Sequence, residues 1–368
     1  MFSCLALAAT EFNGVASSRV DAFRQGDSAF AVDASARVRQ SWRLVDGRLE
    51  ARMIAAHTSW KEQAELQLRD AYIDLRSAGG RWRLGQQQIP WGRADGFRLL
   101  DSVNPLGFPD AYFDDPETAR RPLWLGNWEY DGEIVSAQFF AGPDRRLHAA
   151  APGYGPLFPA LDAVNRGSNE ERHTAVAGLR LGRALGAVDA AIYGYDGWYH
   201  SPVATDSGLT TLRRRFVGLS GDAPAGPVVF RAEAMASSMY TDVVRNEPFT
   251  FSDRQWLLGM DYQRGQFFLS PQLYGDKRIP TYGEALDSRT YLSLLMRYEF
   301  AQSLARLSVF AWSDVRYRDR WLSLRINRAW GQHVELQFAA DYFDGEGGSL
   351  VASVDRLDRV HVRLSYHW

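Results

Sequence analysis

Alternation of apolar and polar residues runs through nearly the whole chain. In Val360 to Trp368 the apolar positions Val360, Val362, Leu364, Tyr366 and Trp368 interleave with His361, Arg363, Ser365 and His367. An extended backbone sends these two sets to opposite faces, so the segment predicts a strand with one greasy and one wet side. Phe30 to Leu44 repeats the pattern, with Phe30, Val32, Ala34, Ala36 and Val38 against Asp33, Ser35, Arg37, Arg39 and Arg43. Asp46-Gly47 follows, a two-residue hairpin signal, and Leu49, Met53 and Ala55 return opposite Glu50 and Arg52.

Tight turns are expected at Asp131-Gly132, Gly182 to Gly186, Asp222 to Gly226, Gln263 to Gln266, Phe300 to Ser303 and Trp330 to Gln332. Between them lie longer connections near residues 58–64, 90–121, 141–171, 198–211, 238–252, 276–288 and 344–356. Short turns at one end and long loops at the other are the asymmetry of an outer-membrane barrel. The pattern predicts an all-β fold: a single transmembrane antiparallel up-and-down barrel of about eighteen strands whose first strand, near Phe12 to Phe23, closes against the last. A soluble all-β protein, such as a propeller or a pair of sandwiches, is the competing architecture, and no repeat of blade length supports a propeller. Short helical turns are expected only at Ser59 to Leu68 and Asn165 to His173.

Composition sharpens this picture. Charged residues are 23% and aromatics 13% of the chain, and no apolar run reaches the roughly 18 residues of a membrane helix. A barrel tolerates low mean hydropathy because only alternate residues meet lipid. The net charge of -2 gives no reason to expect nucleic acid. Phe2 to Ala9 resembles the end of a secretory signal peptide, so residues 1–9 are expected to be its remnant and 10–368 the barrel. Cys4 is the single cysteine and would depart with that segment. No cofactor or metal site is expected, since no HExxH, GxSxG or EF-hand spacing occurs.

The polar register holds Arg37, Arg39, Arg43, Arg52, Arg81, Arg83, Arg180, Arg231, Arg325 and Arg363 with Asp33, Glu50, Asp189, Glu233, Asp261, Glu335 and Asp341. A lumen so lined holds water, and these charges either fix the barrel's shape by pairing or select solutes. Residues 90–121 interrupt the strand pattern with a loop dense in both signs, expected to fold inward as a constriction or plug. Its expected members are Gln87, Trp91, Arg93, Asp95, Asp101, Asn104, Arg120 and Arg121, with Asp95 or Asp101 pairing to arginine.

The run GQQQIPWGRADG, then DSVNP, FDD and RRPLW, resembles a bacterial outer-membrane barrel family catalogued as domain of unknown function thirteen-oh-two. The resemblance rests on Gly85, Gln87, Trp91, Gly92, Asp95, Asp101, Asn104, Pro105, Arg120 and Pro122, and departs from it at Gln86 and Leu106-Gly107. It implies a barrel working beside inner-membrane exporters of the resistance-nodulation-division class. The terminal aromatic with Tyr366 two places before Trp368 looks like the signal that such barrels present to the barrel-assembly machinery.

Partners are therefore expected to be the lipid bilayer, lipopolysaccharide and the assembly machinery. The expected role is a channel or exporter-coupled conduit for small or amphipathic solutes. The alternatives are a plugged structural or surface-interaction barrel, and an outer-membrane hydrolase built on His200-Ser201 with Asp206. Without a recognisable catalytic arrangement, the chain is not expected to be an enzyme.

Overall fold

In the computed structural model, described for residues 9–41, 45–77, 79–92, 97–108, 116–143, 146–159, 161, 175–201, 203–205, 208–240, 251–280, 288–316, 319–345 and 354–368, the chain forms one 18-stranded antiparallel sheet closed on itself. The strands are β1 (Ala9–Phe23), β2 (Ser28–Ser41), β3 (Val45–Thr58), β4 (Glu62–Ser77), β5 (Gly80–Gln87), β6 (Leu123–Asp131), β7 (Val135–Gly142), β8 (Val176–Leu185) and β9 (Val188–Trp198). They continue as β10 (Arg213–Ala225), β11 (Val228–Tyr240), β12 (Phe251–Arg264), β13 (Phe267–Pro280), β14 (Arg289–Phe300), β15 (Ala305–Asp314), β16 (Arg320–Trp330), β17 (Val334–Asp344) and β18 (Arg359–His367). Each pairs with its neighbours in sequence, and β1 pairs with β18.

Side-chain polarity distinguishes the two faces. Val360, Val362, Leu364, Tyr366 and Trp368 are all exposed on the outer surface, whereas Arg359 and His361 are buried. The same inversion holds around the wall, with Leu66, Val217, Ile192 and Leu258 outside and Asp21, Asp74, Asp261 and Asp341 inside. Apolar outside and charged inside is stable only when the outer solvent is lipid. The protein is an outer-membrane barrel.

Both chain ends share a face with the short turns 42–44, 78–79, 132–134, 186–187, 226–227, 265–266, 301–304 and 331–333. By the rule for such barrels that face is periplasmic. The long connections 88–122, 143–175, 199–212 and 345–358 lie opposite, together with the brief 24–27, 59–61 and 315–319. The asymmetry is as expected, although three outer connections are short.

Two local expectations are corrected. Asp46-Gly47 does not turn the chain: Asp46 and Gly47 are strand residues opposite Ser41 and Gln40. Ser59 to Leu68 is not helical either. Its Ala64, Leu66 and Leu68 alternate outward as part of β4, so lipid contact overrides a helix-compatible composition. The other helical expectation, Asn165 to His173, and the signal remnant up to residue 8 lie outside the described residues. Among the described residues no helix is long and apolar enough to cross a membrane.

The closing seam is held from both faces. Gly14 and Trp368 exchange backbone hydrogen bonds of 3.1 Å each way, and the Trp368 indole lies in the space a Gly14 side chain would need. Inside, Arg359 bonds Asp341 of β17 at 3.0 Å and also pairs with Asp21 of β1, while Arg19 bonds Asp21 at 2.9 Å. These charges are fully or almost fully buried, so each depends on its partner for the solvation it has lost.

Candidate constriction site

β5 ends at Gln87, and Pro90, which has no N–H to continue the ladder, releases the chain from the wall. The next residues are apolar, and the wall supplies apolar partners. Ile89, Trp91, Phe97, Leu99, Leu100 and Val103 pack in one cluster with inward side chains of β6 to β12, among them Phe140, Tyr193, Phe216, Met235 and Leu257. The Trp91 ring meets Phe140 at 5.2 Å and Tyr193 at 5.3 Å, and its indole N–H donates to Gln138 at 2.7 Å. Phe97 stacks on Tyr274 of β13 at 4.8 Å and approaches Tyr291 of β14 and Trp312 of β15. The loop therefore leaves β5 and crosses the lumen to the far wall.

Two glycines make room for it. A side chain on Gly178 would strike Phe140 and the Trp91 ring, and one on Gly218 would strike Leu100. Both are inward positions of the wall, so the barrel carries notches where the loop carries bulk.

A polar clasp fixes the loop's return. Arg120 holds Asp101 through two guanidinium nitrogens, at 3.1 Å and 2.7 Å, and Arg98 reaches the same carboxylate at 2.9 Å. Burial pushes the Arg98 guanidinium below its ordinary pKa, with Asp101 working against that shift. Asn104 accepts from the Ile89 N–H at 2.8 Å and donates to the Arg121 carbonyl at 3.0 Å, joining the two ends of the loop. Arg121 donates to the Leu147 carbonyl at 2.6 Å, and Arg146 to the Pro122 carbonyl at 2.6 Å.

Those last bonds introduce a second inward loop, which the sequence pattern presents as a polar connection near 141–171. Gly107 and Phe108 pair in parallel with Ala149 and Ala150, lacing it to the first. Tyr154 then docks on the opposite wall with Phe23, Phe343, Leu357 and Trp60, and the Thr58 hydroxyl donates to the Gly153 carbonyl at 3.0 Å. The available signal was the apolar run Leu147 to Leu157, which a solvated loop would not carry.

Two histidines sit at the junction. His148 accepts from the Leu106 N–H at 2.8 Å, which requires a lone pair on Nδ1, and burial pushes its pKa well down, with His200 and Arg98 adding to the effect. His200 faces the Arg146 carbonyl at 3.0 Å and the Val103 carbonyl at 2.9 Å. Burial lowers its pKa to about 4, against those two carbonyls, which raise it. As a neutral imidazole it donates to one of these carbonyls at a time, and the ring sits between the two loops with neither nitrogen facing a nucleophile. Asp206 lies outside the described residues.

Most of the expected arginines face the part of the lumen that the first loop leaves uncovered. Arg37 bonds Glu50 at 2.7 Å, Arg52 bonds Asp33 at 2.7 Å, and Arg39 reaches Asp46 at 3.4 Å. Arg83 lies over the Tyr72 ring at 4.7 Å and 3.8 Å from Asp74. Arg48, not expected from the pattern, bridges Glu50 and Asp70 at 2.9 Å and 2.8 Å.

Three of the residues expected at the constriction serve as its anchors. Gln87 is fully buried, donating to the Leu125 carbonyl at 3.0 Å, and Trp91 and Asn104 are buried where the loop meets the wall. Their side chains are taken up in anchoring the loop. Arg43, Arg93 and Asp95 lie outside the described residues. Asp101 pairs with Arg120 as expected. Tyr366 and Trp368 lie outward at the seam's periplasmic end, their rings stacked 6.4 Å apart. Among the described residues no group of three or more His, Cys, Asp or Glu side chains could hold a metal.

No family model matches the chain, and no curated protein sequence does. Solved structures do. The chain is similar to OccAB1 of Acinetobacter baumannii, with a TM-score of 0.59 at 9% identity, covering 98% of this chain and 95% of that one. It is also similar to OccK2 (OpdF) of Pseudomonas aeruginosa, with a TM-score of 0.56 at 9% identity over 98% and 97% of the two chains. OmpT of Vibrio cholerae, an outer membrane protein solved in a trimer form, gives 0.55 at 10% identity over 98% and 99%. At such identities the likeness is one of fold, and that fold is the 18-stranded barrel of bacterial outer-membrane proteins.

Proposed function

We propose that the protein is a diffusion channel for small charged solutes, narrowed by two laced loops. The observation that carries this reading is the division of the inner wall. From β6 to β15 the inner wall presents an apolar patch among its buried polar groups and receives the first loop there, whereas β1 to β5 keep a lane of paired charges with partly exposed guanidinium groups at Arg37, Arg39, Arg48 and Arg81. A wall built only to be filled has no use for charges that retain contact with solvent, since exposed ion pairs add little stability.

A small cavity under Ala151 and Tyr154, bordered by Arg19, Asp33, Arg52 and Arg363, lies on the same side of the lumen. Arginine is the common element of the lane, so the expected preference is for anions. Selectivity in planar bilayers is the test: wild type should favour chloride over potassium, and Arg37→Ala with Arg52→Ala should shift reversal potential toward cation preference. An unchanged reversal potential would refute the lane.

A second reading has its own support. The apolar docking of both loops suits a plugged barrel whose surface carries the function. That reading expects no steady conductance from wild type.

A further inference from the structure

On the outer, lipid-facing surface of β7 to β12, near the extracellular rim, the wall is hollowed into a groove of about 710 Å³. Strand register explains the hollow. One rung runs Ala177, Asp196, Arg215, Ser238 and Ser252, and the rung beneath runs Leu179, Gly194, Val217, Ala236 and Arg254. Small residues dominate, and a side chain on Gly194 would meet nothing within 4 Å. Beneath them Phe139, Leu179 and Val217 form an exposed apolar floor.

The rim of this groove is charged, which is costly on a face turned to lipid tails. Arg213 and Arg215 both pair with Asp196, the latter at 2.8 Å, and stand over the Trp198 and Tyr240 rings at 5.3 Å and 5.2 Å. Arg254 follows on β12, and the next position across the ladder is Lys277 of β13, one of the two lysines in the chain. Four cations thus gather on neighbouring rungs near one end of these strands, against a single carboxylate among their described outward residues. Arg254 and Lys277 make no ion pair with any described residue.

We propose that this groove binds the phosphorylated glycolipid of the outer leaflet, with Arg215, Arg254 and Lys277 on its phosphates and an acyl chain laid over Leu179 and Val217. The chemistry is that of an amphiphile with an anionic head: guanidinium and ammonium groups bind phosphate oxygens through charge-assisted hydrogen bonds, and the floor below accepts a hydrocarbon chain. Position agrees, because these cations lie within a few residues of the extracellular strand ends, where headgroups meet the wall. A second copy of this chain is the other occupant a hollow could take. Four cations on the face disfavour a partner that presents the same charge.

The test uses full-length protein refolded in detergent, with deep-rough lipopolysaccharide as the probe and bound glycolipid read by native mass spectrometry. The expected result is binding that weakens roughly fivefold per cation removed, so about 25-fold in Arg254→Ser with Lys277→Ser. Gly194→Trp, which fills the groove without touching its charges, should block binding as well, and heat-dependent gel mobility should show both variants folded. Enzymatically dephosphorylated glycolipid should bind as poorly as the double variant. Equal binding of phosphorylated and dephosphorylated forms, or saturation by inorganic phosphate alone, would overturn the proposal. So would a wild-type oligomer that Gly194→Trp converts to monomer, which would make the groove an interface between copies.

Discussion

Replacing Trp91 by alanine removes the largest side chain of the first loop from its seat against Phe140, Tyr193 and Phe216. Truncating a buried tryptophan costs about 3–5 kcal/mol, and the Gln138 amide oxygen, which accepts from the indole at 2.7 Å, loses a bond of about 1 kcal/mol. The eighteen-stranded wall does not depend on this contact, so the loss falls on docking of the loop. About 4 kcal/mol shifts the docked-to-open ratio of the segment around Trp91 by roughly a thousandfold. Leu99, Leu100 and Val103 should keep the rest seated.

Single-channel recording should then show rapid openings above the wild-type level, and trypsin should cut after Arg98 much faster in the variant. Trp91→Phe keeps most of the ring contact and loses the hydrogen bond, so its effect should be about tenfold or less. Identical traces and cleavage rates for wild type and Trp91→Ala would refute the idea that apolar docking holds the loop inside.

Arg359→Ala would leave Asp21 and Asp341 buried without their shared cation, a loss of about 3–5 kcal/mol that should lower the temperature of the heat-dependent gel shift. Gly14→Leu would drive the Trp368 indole off the seam and should slow refolding in detergent, measured by the fraction reaching the compact gel form. His200 is neutral in the folded loop down to about pH 4 but protonates near 6.5 when released. The released state therefore binds more protons between those values, and the junction loses up to about 3 kcal/mol as pH falls through that window. His148, pressed against it, adds in the same direction. Wild-type openings should rise from pH 7 to pH 4, and His200→Gln should flatten that response.

The barrel was legible because every wall residue faces one of two solvents, and a period of two records that directly. Val360 to Trp368 shows it plainly: five outward residues, a seam to β1, and Arg359 and His361 inside. Exact reversals were harder. Asp46-Gly47 has the composition of a turn, but the pairing of β2 with β3 continues past it. Loop placement was legible only in part. Proline, tryptophan and mixed charges marked 90–121 as a loop with work to do, and Asp101 found Arg120.

Its anchoring was not legible, because Gly178 and Gly218 are distant in sequence and mean nothing until Trp91 and Leu100 lie over them. The second loop was missed for a related reason. Leu147 to Leu157 is apolar because its partners are Phe23 and Trp60 near the start of the barrel and Phe343 near its end. The described arginines of the polar register lie on the inner face, and Arg48 and Arg19 join them there.

The proposed channel is a narrowed but continuous path beside the docked loops. Planar-bilayer recording of refolded wild type and of a variant lacking residues 94–118 tests it most directly. A small, steady, anion-preferring conductance in wild type that grows severalfold on deletion is the predicted result. A silent wild type that conducts only after deletion would contradict the channel and make the first loop a plug.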